Sequence, residues 1–140
     1  ALLVESQNEN RDSKDKTEVY DYSPEIYVNT ALEYMQEHYS STRISEVASF
    51  IGISRYYLTH IFKEKLNISP QEYLLNYRME QGSRLLRTTG LSVQTISEKI
   101  GYENPLTFSK TFKNKFGLSP KKYREKMKKE KLEHLEKAQR

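Results

Sequence analysis

The chain reads as a succession of short apolar stripes at helical spacing, each opened and closed by a punctuating residue. Ser23-Pro24-Glu25 supplies the first start signal, an N-cap hydroxyl followed by a first-position proline. Val28, Ala31, Leu32, Met35 and Tyr39 then recur at intervals of a helical turn until the polar run Ser40-Ser41-Thr42. Ile44, Val47, Ala48 and Ile51 make a shorter stripe stopped by Gly52. Ser54 caps a third, with Leu58, Ile61, Phe62 and Leu66 inward and Asn67 as a left-handed stop. Ser69-Pro70-Gln71-Glu72 joins N-cap, proline and capping-box glutamate, and predicts a helix to about Thr88. Its apolar contacts are Tyr73, Leu74, Tyr77, Leu85 and Leu86, and Gly90 closes the segment. Ser92 caps a stripe of Val93, Ile96 and Ile100 that Gly101 stops. Asn104-Pro105 opens one of Phe108, Phe112 and Phe116 that Gly117 stops. Ser119-Pro120 opens a last helix through Tyr123 and Met127, after which the charged run KKEKLEHLEKAQR is expected to fray. No segment alternates with the two-residue period of a strand, so the expected fold class is all-α with about seven helices.

Two of these stripes repeat. Ile44, Val47, Ala48, Ile51 and Gly52 match Val93, Ile96, Ser97, Ile100 and Gly101 at an offset of 49. Beyond the glycine, Leu58, Phe62-Lys63, Ser69-Pro70 and Tyr73 match Phe108, Phe112-Lys113, Ser119-Pro120 and Tyr123 at an offset of 50. The second copy therefore carries one extra residue in its turn. A short helix, a tight turn with a glycine tolerant of positive φ, and a longer helix make a helix-turn-helix, whose second helix enters the major groove. The connecting helix, Pro70 to about Thr88, spans about 28 Å at 1.5 Å per residue. Successive major grooves on one face of DNA lie about 34 Å apart, so a rod of that length suits two reading helices in adjacent grooves.

Charge sharpens this picture. The chain of 140 residues has 23 Lys and Arg against 19 Asp and Glu, a net of +4. Residues 1–22 hold Glu5, Glu9, Asp12, Asp15, Glu18 and Asp21 against Arg11, Lys14 and Lys16, so the remainder is the more basic part. A basic body behind an acidic, apolar-poor leader fits a polyanion-binding domain on a flexible linker. Cysteine is absent, which removes disulfides, thiolate metal sites and thiol catalysis and fits a cytoplasmic setting. With a mean hydropathy of −0.85, no stretch is apolar enough for a membrane span, and the opening ALLV is too short for a signal peptide. The leader and the absence of an initiator Met are read as marking the C-terminal part of a longer protein.

The run Ile100-Gly101-Tyr102-Glu103-Asn104-Pro105, then Phe108-Ser109-Lys110-Thr111-Phe112-Lys113, Phe116-Gly117-Leu118-Ser119-Pro120 and Tyr123-Arg124, resembles the signature of the AraC/XylS family of bacterial transcription regulators. Arg78-Met79 through Leu85-Leu86 resembles the connecting helix that precedes it, and the similarity covers about Ser23 to Lys126. The resemblance implies two helix-turn-helix subdomains, 23–68 and 91–128, joined by a connecting helix, 69–90, between the linker 1–22 and a charged tail 129–140. It implies sequence-specific reading of promoter double-stranded DNA, most often as an activator working with RNA polymerase. A small-molecule effector, a sugar for instance, would act only through a preceding domain. No cofactor is expected, and the isolated segment is expected to be monomeric.

On the helix opened by Ser54, the face left over by the apolar positions carries Arg55, Tyr56, Thr59, His60 and Lys63. By resemblance, Tyr56, Thr59 and His60 occupy base-reading positions, while Arg55 and Lys63 suit phosphates. On the helix opened by Asn104-Pro105 the exposed face carries Leu106, Thr107, Lys110, Thr111 and Asn114. By resemblance, Leu106, Thr107 and Lys110 sit at base-reading positions. Leu106 departs from the polar residues often found there, which favours shape or backbone contact by the second subdomain. Lys113 mirrors Lys63, and the short-helix starts at Ser45 and Gln94 are further phosphate candidates. The competing reading buries Tyr56, Tyr57 and Leu106 against neighbouring helices. Tyr73 and Tyr123 are expected to anchor each Ser-Pro helix to its core, and His38 and His134 to be isolated on the surface.

Two other function classes compete. A DNA-processing enzyme with a tyrosine nucleophile needs several cations around the scissile phosphate. Tyr56, His60 and Arg78 fall instead on reading and connecting elements, and no Gly-rich phosphate loop or carboxylate cluster for Mg²⁺ is present. A helical protein-interaction module accounts for the helices but not for two matched basic ones.

Overall fold

The computed structural model describes residues 20–139, and these hold seven helices and no strand. They are α1 (Pro24–His38), α2 (Ile44–Ile51), α3 (Arg55–Leu66), α4 (Pro70–Thr88), α5 (Val93–Lys99), α6 (Pro105–Phe116) and α7 (Pro120–Ala138). Starts and stops follow the punctuation. The hydroxyls of Ser23, Ser54, Ser69, Ser92 and Ser119 each accept the N–H of the residue three positions on. The Asn104 side chain caps α6 by accepting the Leu106 N–H at 2.9 Å. Gly52, Asn67 and Gly117 end α2, α3 and α6 in the left-handed conformation.

The described residues divide into two compact units, one up to Leu75 and one from Asn76 on, so α4 contributes its first turns to one and the rest to the other. In the first unit, Val28, Ala31 and Met35 of α1 meet Ile44, Val47 and Ile51 of α2 and Leu58, Ile61 and Phe62 of α3. Two core residues lay outside the apolar stripes. Ile53 is buried in the turn itself, and Tyr27 is buried within an aromatic cluster. Tyr20 stacks on Tyr57 at 3.8 Å, and Tyr20, Tyr22 and Tyr57 each meet the Tyr27 ring edge-on. Tyr20 and Tyr22 thus pack in this unit although both fall in the stretch read as linker; residues 1–19 lie outside the described residues. Leu66, expected inside, is on the surface because it is the last helical residue before the left-handed stop at Asn67.

The second unit closes in the same way. Met79, Ser83 and Leu86 of α4 are buried, as are Ile96 and Ile100 and the rings of Phe108 and Phe112. Gly82 lets α4 approach: a Cβ there would stand 3.1 Å from Phe108 Cε1 and 3.2 Å from Ile100 Cδ1. The anchoring tyrosines repeat as well. Tyr73 meets Phe62 edge-on and its hydroxyl accepts from Gln36 Nε2 at 2.8 Å. Tyr123 meets Phe112 edge-on and its hydroxyl pairs with Ser83 Oγ at 2.8 Å. Arg124 spans from α7 to the end of α4, donating to the carbonyls of Leu86 at 3.0 Å and Thr89 at 3.2 Å, which no intrahelical N–H can reach. Helix α7 continues to Ala138, where charge alone predicted fraying.

Candidate nucleic-acid interface

Each unit sets a short helix, a tight turn and a longer helix in series. In the first turn the Ile53 N–H donates to Ala48 O at 3.1 Å, and in the second the Tyr102 N–H donates to Ser97 O at 2.9 Å. The buried Ser97 hydroxyl donates to Tyr102 O at 3.1 Å, a bond that Ala48 of the first copy cannot make. The longer turn carries Tyr102, half-buried with its ring 6.0 Å from Phe108. Burial raises the Tyr102 phenol above its ordinary range, opposed by the charge of Arg78 and a hydrogen bond with Thr111.

The core takes one side of α3 and α6, and the side chains left over are the ones singled out from sequence. Tyr56 is 83% exposed and Leu106 is 71% exposed. Both are the second residue of their helix, so the two helices present a large side chain at the same point of the first turn. Their alternative reading as packed residues is not what the structure shows. Tyr57 does pack, in the stack with Tyr20. One turn further along, His60 and Lys110 occupy equivalent exposed positions. The His60 imidazole lies 3.5 Å from the Glu64 carboxylate. Thr59 and Thr107 differ: Thr59 is half-buried with its hydroxyl donating to Arg55 O at 3.0 Å, and Thr107 is exposed.

Arg55, Lys63 and Lys113 are exposed on the same two helices. Lys65 and Lys115, also equivalent, are engaged: Lys65 Nζ is 3.6 Å from Glu25, and Lys115 Nζ is 3.1 Å from Asn76 Oδ1 and 3.8 Å from Glu80. These two fasten the ends of α3 and α6 to α1 and α4. Ser45 and Gln94 are exposed second residues of α2 and α5. Sequence reasoning missed Arg43, which stands exposed at the start of α2, where no side chain caps the first-turn N–H groups. The missing cap Ser or Asp at that position was the signal available. Among the described residues no group of His, Asp and Glu is arranged to hold a metal ion. No helix of the described residues is long and apolar enough to cross a membrane.

Residues 47–126 match the family model of a helix-turn-helix domain. The solved C-terminal domain of AraT, a response regulator from Geobacillus stearothermophilus, is 36% identical with a TM-score of 0.69, over 71% of this chain and 84% of that one. A transcriptional regulator of the AraC-type DNA-binding domain-containing proteins from Chromobacterium violaceum is 26% identical with a TM-score of 0.69, over 74% of this chain and 93% of that one. The chain belongs to the AraC-type helix-turn-helix family. That family consists of DNA-binding transcription regulators, not enzymes. Among curated relatives, the raffinose operon transcriptional regulatory protein RafR of Pediococcus pentosaceus is 41% identical over 69% of this chain and 35% of its own length. The lactose operon transcription activator of Staphylococcus xylosus is 36% identical over 69% of this chain and 35% of its own length. The chain thus spans about a third of the length of the curated relatives it matches.

Proposed function

We propose that this AraC-type chain reads a bipartite promoter site on double-stranded DNA, with α3 and α6 in adjacent major grooves, as the DNA-binding part of an operon activator. The observation that carries this reading is the equivalence of the two exposed faces, Tyr56 with His60 and Leu106 with Lys110. His60 donates to a guanine or adenine acceptor, Lys110 pairs with guanine, and Tyr56, Thr59 and Thr107 supply hydroxyls at base edges. Leu106 covers a thymine methyl, so the second block is read partly by apolar contact. Arg55, Lys63 and Lys113 hold phosphates. So do Arg43, Ser45 and Gln94 at the starts of the short helices α2 and α5, where first-turn backbone N–H groups favour an anion.

Relatives named for raffinose and lactose operons support a sugar as the effector, sensed outside the described residues, with RNA polymerase as the machinery recruited in the cytoplasm. On its own the chain binds DNA as a monomer. Selection of this chain on random duplex DNA, followed by titration at two salt concentrations, tests the reading. Two short base blocks about ten base pairs apart, bound one protein per duplex with affinity falling steeply in salt, are expected. A single block would refute the bipartite reading, and no enrichment at any salt would refute sequence-specific binding.

A further inference from the structure

The far part of α7 is unexplained by DNA reading. The family match ends at residue 126, yet the helix runs to Ala138. Its continuation is rich in Lys and Glu, and carries Leu132 and Leu135, which are 55% and 49% exposed. These two lie three residues apart and so share one side of the helix. That side faces a groove of about 690 Å³ against the end of α4, with Leu86 and Met127 also lining it. Arg87, Arg124, Lys128 and Lys131 line the groove too, and no carboxylate does. Arg124 is spent on the α4 carbonyls, whereas Arg87, Lys128 and Lys131 are exposed. None of the lining residues belongs to α5 or α6, the helices that carry the second reading module.

We infer that this groove is a docking site for an acidic amphipathic helix of a partner protein. The occupant would lay apolar side chains over Leu132, Leu135 and Met127 and set carboxylates against Arg87, Lys128 and Lys131, the helix-in-groove mode of recognition. Charge complementarity selects this occupant. A second copy of α7 carries Lys128, Lys129, Lys131 and Lys137 against Glu130, Glu133 and Glu136, so it complements a groove lined by four cations and no acid less well than an acidic helix does. Bare nucleic acid would leave the two leucines uncovered.

The test uses a fluorescent helical peptide about 14 residues long, with leucines at i, i+3, i+4 and i+7 and glutamates flanking them, against its lysine counterpart. Fluorescence anisotropy with the whole chain should show the glutamate peptide binding at least about tenfold more tightly than the lysine one. Lys128→Glu with Lys131→Glu should reverse that preference. Leu132→Gln with Leu135→Gln should abolish binding, with helicity and melting temperature kept because both leucines are exposed. Affinity for the selected duplex should be unchanged in the leucine variant. Equal binding of both peptides, or none, overturns the proposal. So does a concentration-dependent dimer that the leucine variant dissociates, which would make a second copy the occupant. A loss of duplex affinity in that variant would assign the groove to DNA instead.

Discussion

At the scale of single residues, the informative contrast is between the side chains at equivalent positions of α3 and α6. His60 and Lys110 can each place a donor on a base, but by different means. The imidazole is steadied by Glu64 at 3.5 Å, an exposed pair worth no more than about 1 kcal/mol by itself. Lys110 is a flexible cation. His60→Ala and Lys110→Ala should each cost about 1–3 kcal/mol on the selected site and relax preference in separate blocks, as read by competition with single-base variants. Lys63→Ala should weaken selected and random duplexes alike and flatten the salt slope. Retention of full discrimination by both alanine variants would remove His60 and Lys110 from the readers.

At the scale of elements, the second unit depends on a close approach and on a turn. Gly82→Leu inserts a side chain where even a Cβ stands 3.1 Å from Phe108, and should destabilise by about 1–3 kcal/mol in urea unfolding. An unchanged midpoint would mean that α6 shifts freely away from α4. Tyr102 makes the longer turn sensitive to alkali. Its phenol is raised in the folded state, chiefly by burial, so the unfolded chain loses that proton first. Its contribution is present below about pH 10 and is lost as pH rises through the folded value. The melting temperature of the parent chain should therefore fall more steeply above that pH than the melting temperature of Tyr102→Phe. Parallel profiles would show the turn to be insensitive to the phenol.

At the scale of the whole molecule, the repeat is a repeat of complete units. Each unit consists of a leading helix, a helix-turn-helix and the first turns of a Ser-Pro helix fastened by a tyrosine. Helix α4 ends the first unit and leads the second. Phe62 and Phe112 sit at equivalent core positions, both fully buried. Truncating either to Ala should cost about 3–5 kcal/mol. Phe62→Ala should erase one selected block and Phe112→Ala the other, so footprinting of the two variants on one duplex distinguishes separate readers from a single composite surface.

The helices themselves were legible in the sequence, since serine and asparagine caps, first-position prolines and left-handed stops act within a few residues of where they stand. The repeat, the turn with its extra residue and the outward faces of α3 and α6 followed from the same local period. The role of the leading helices was not legible, because Gln36 and Ser83 find their tyrosines across 37 and 40 residues of chain. Nor was the burial of Tyr27, which depends on Tyr20, Tyr22 and Tyr57 converging on one ring. Arg124 closing the end of α4, Gly82 admitting Phe108, and the two leucines of α7 meeting a cationic groove were likewise decided by tertiary structure. Local rules set where a helix begins, ends and turns its apolar side, but which distant partner satisfies a hydroxyl, a carbonyl or a ring depends on the packing of the closed unit.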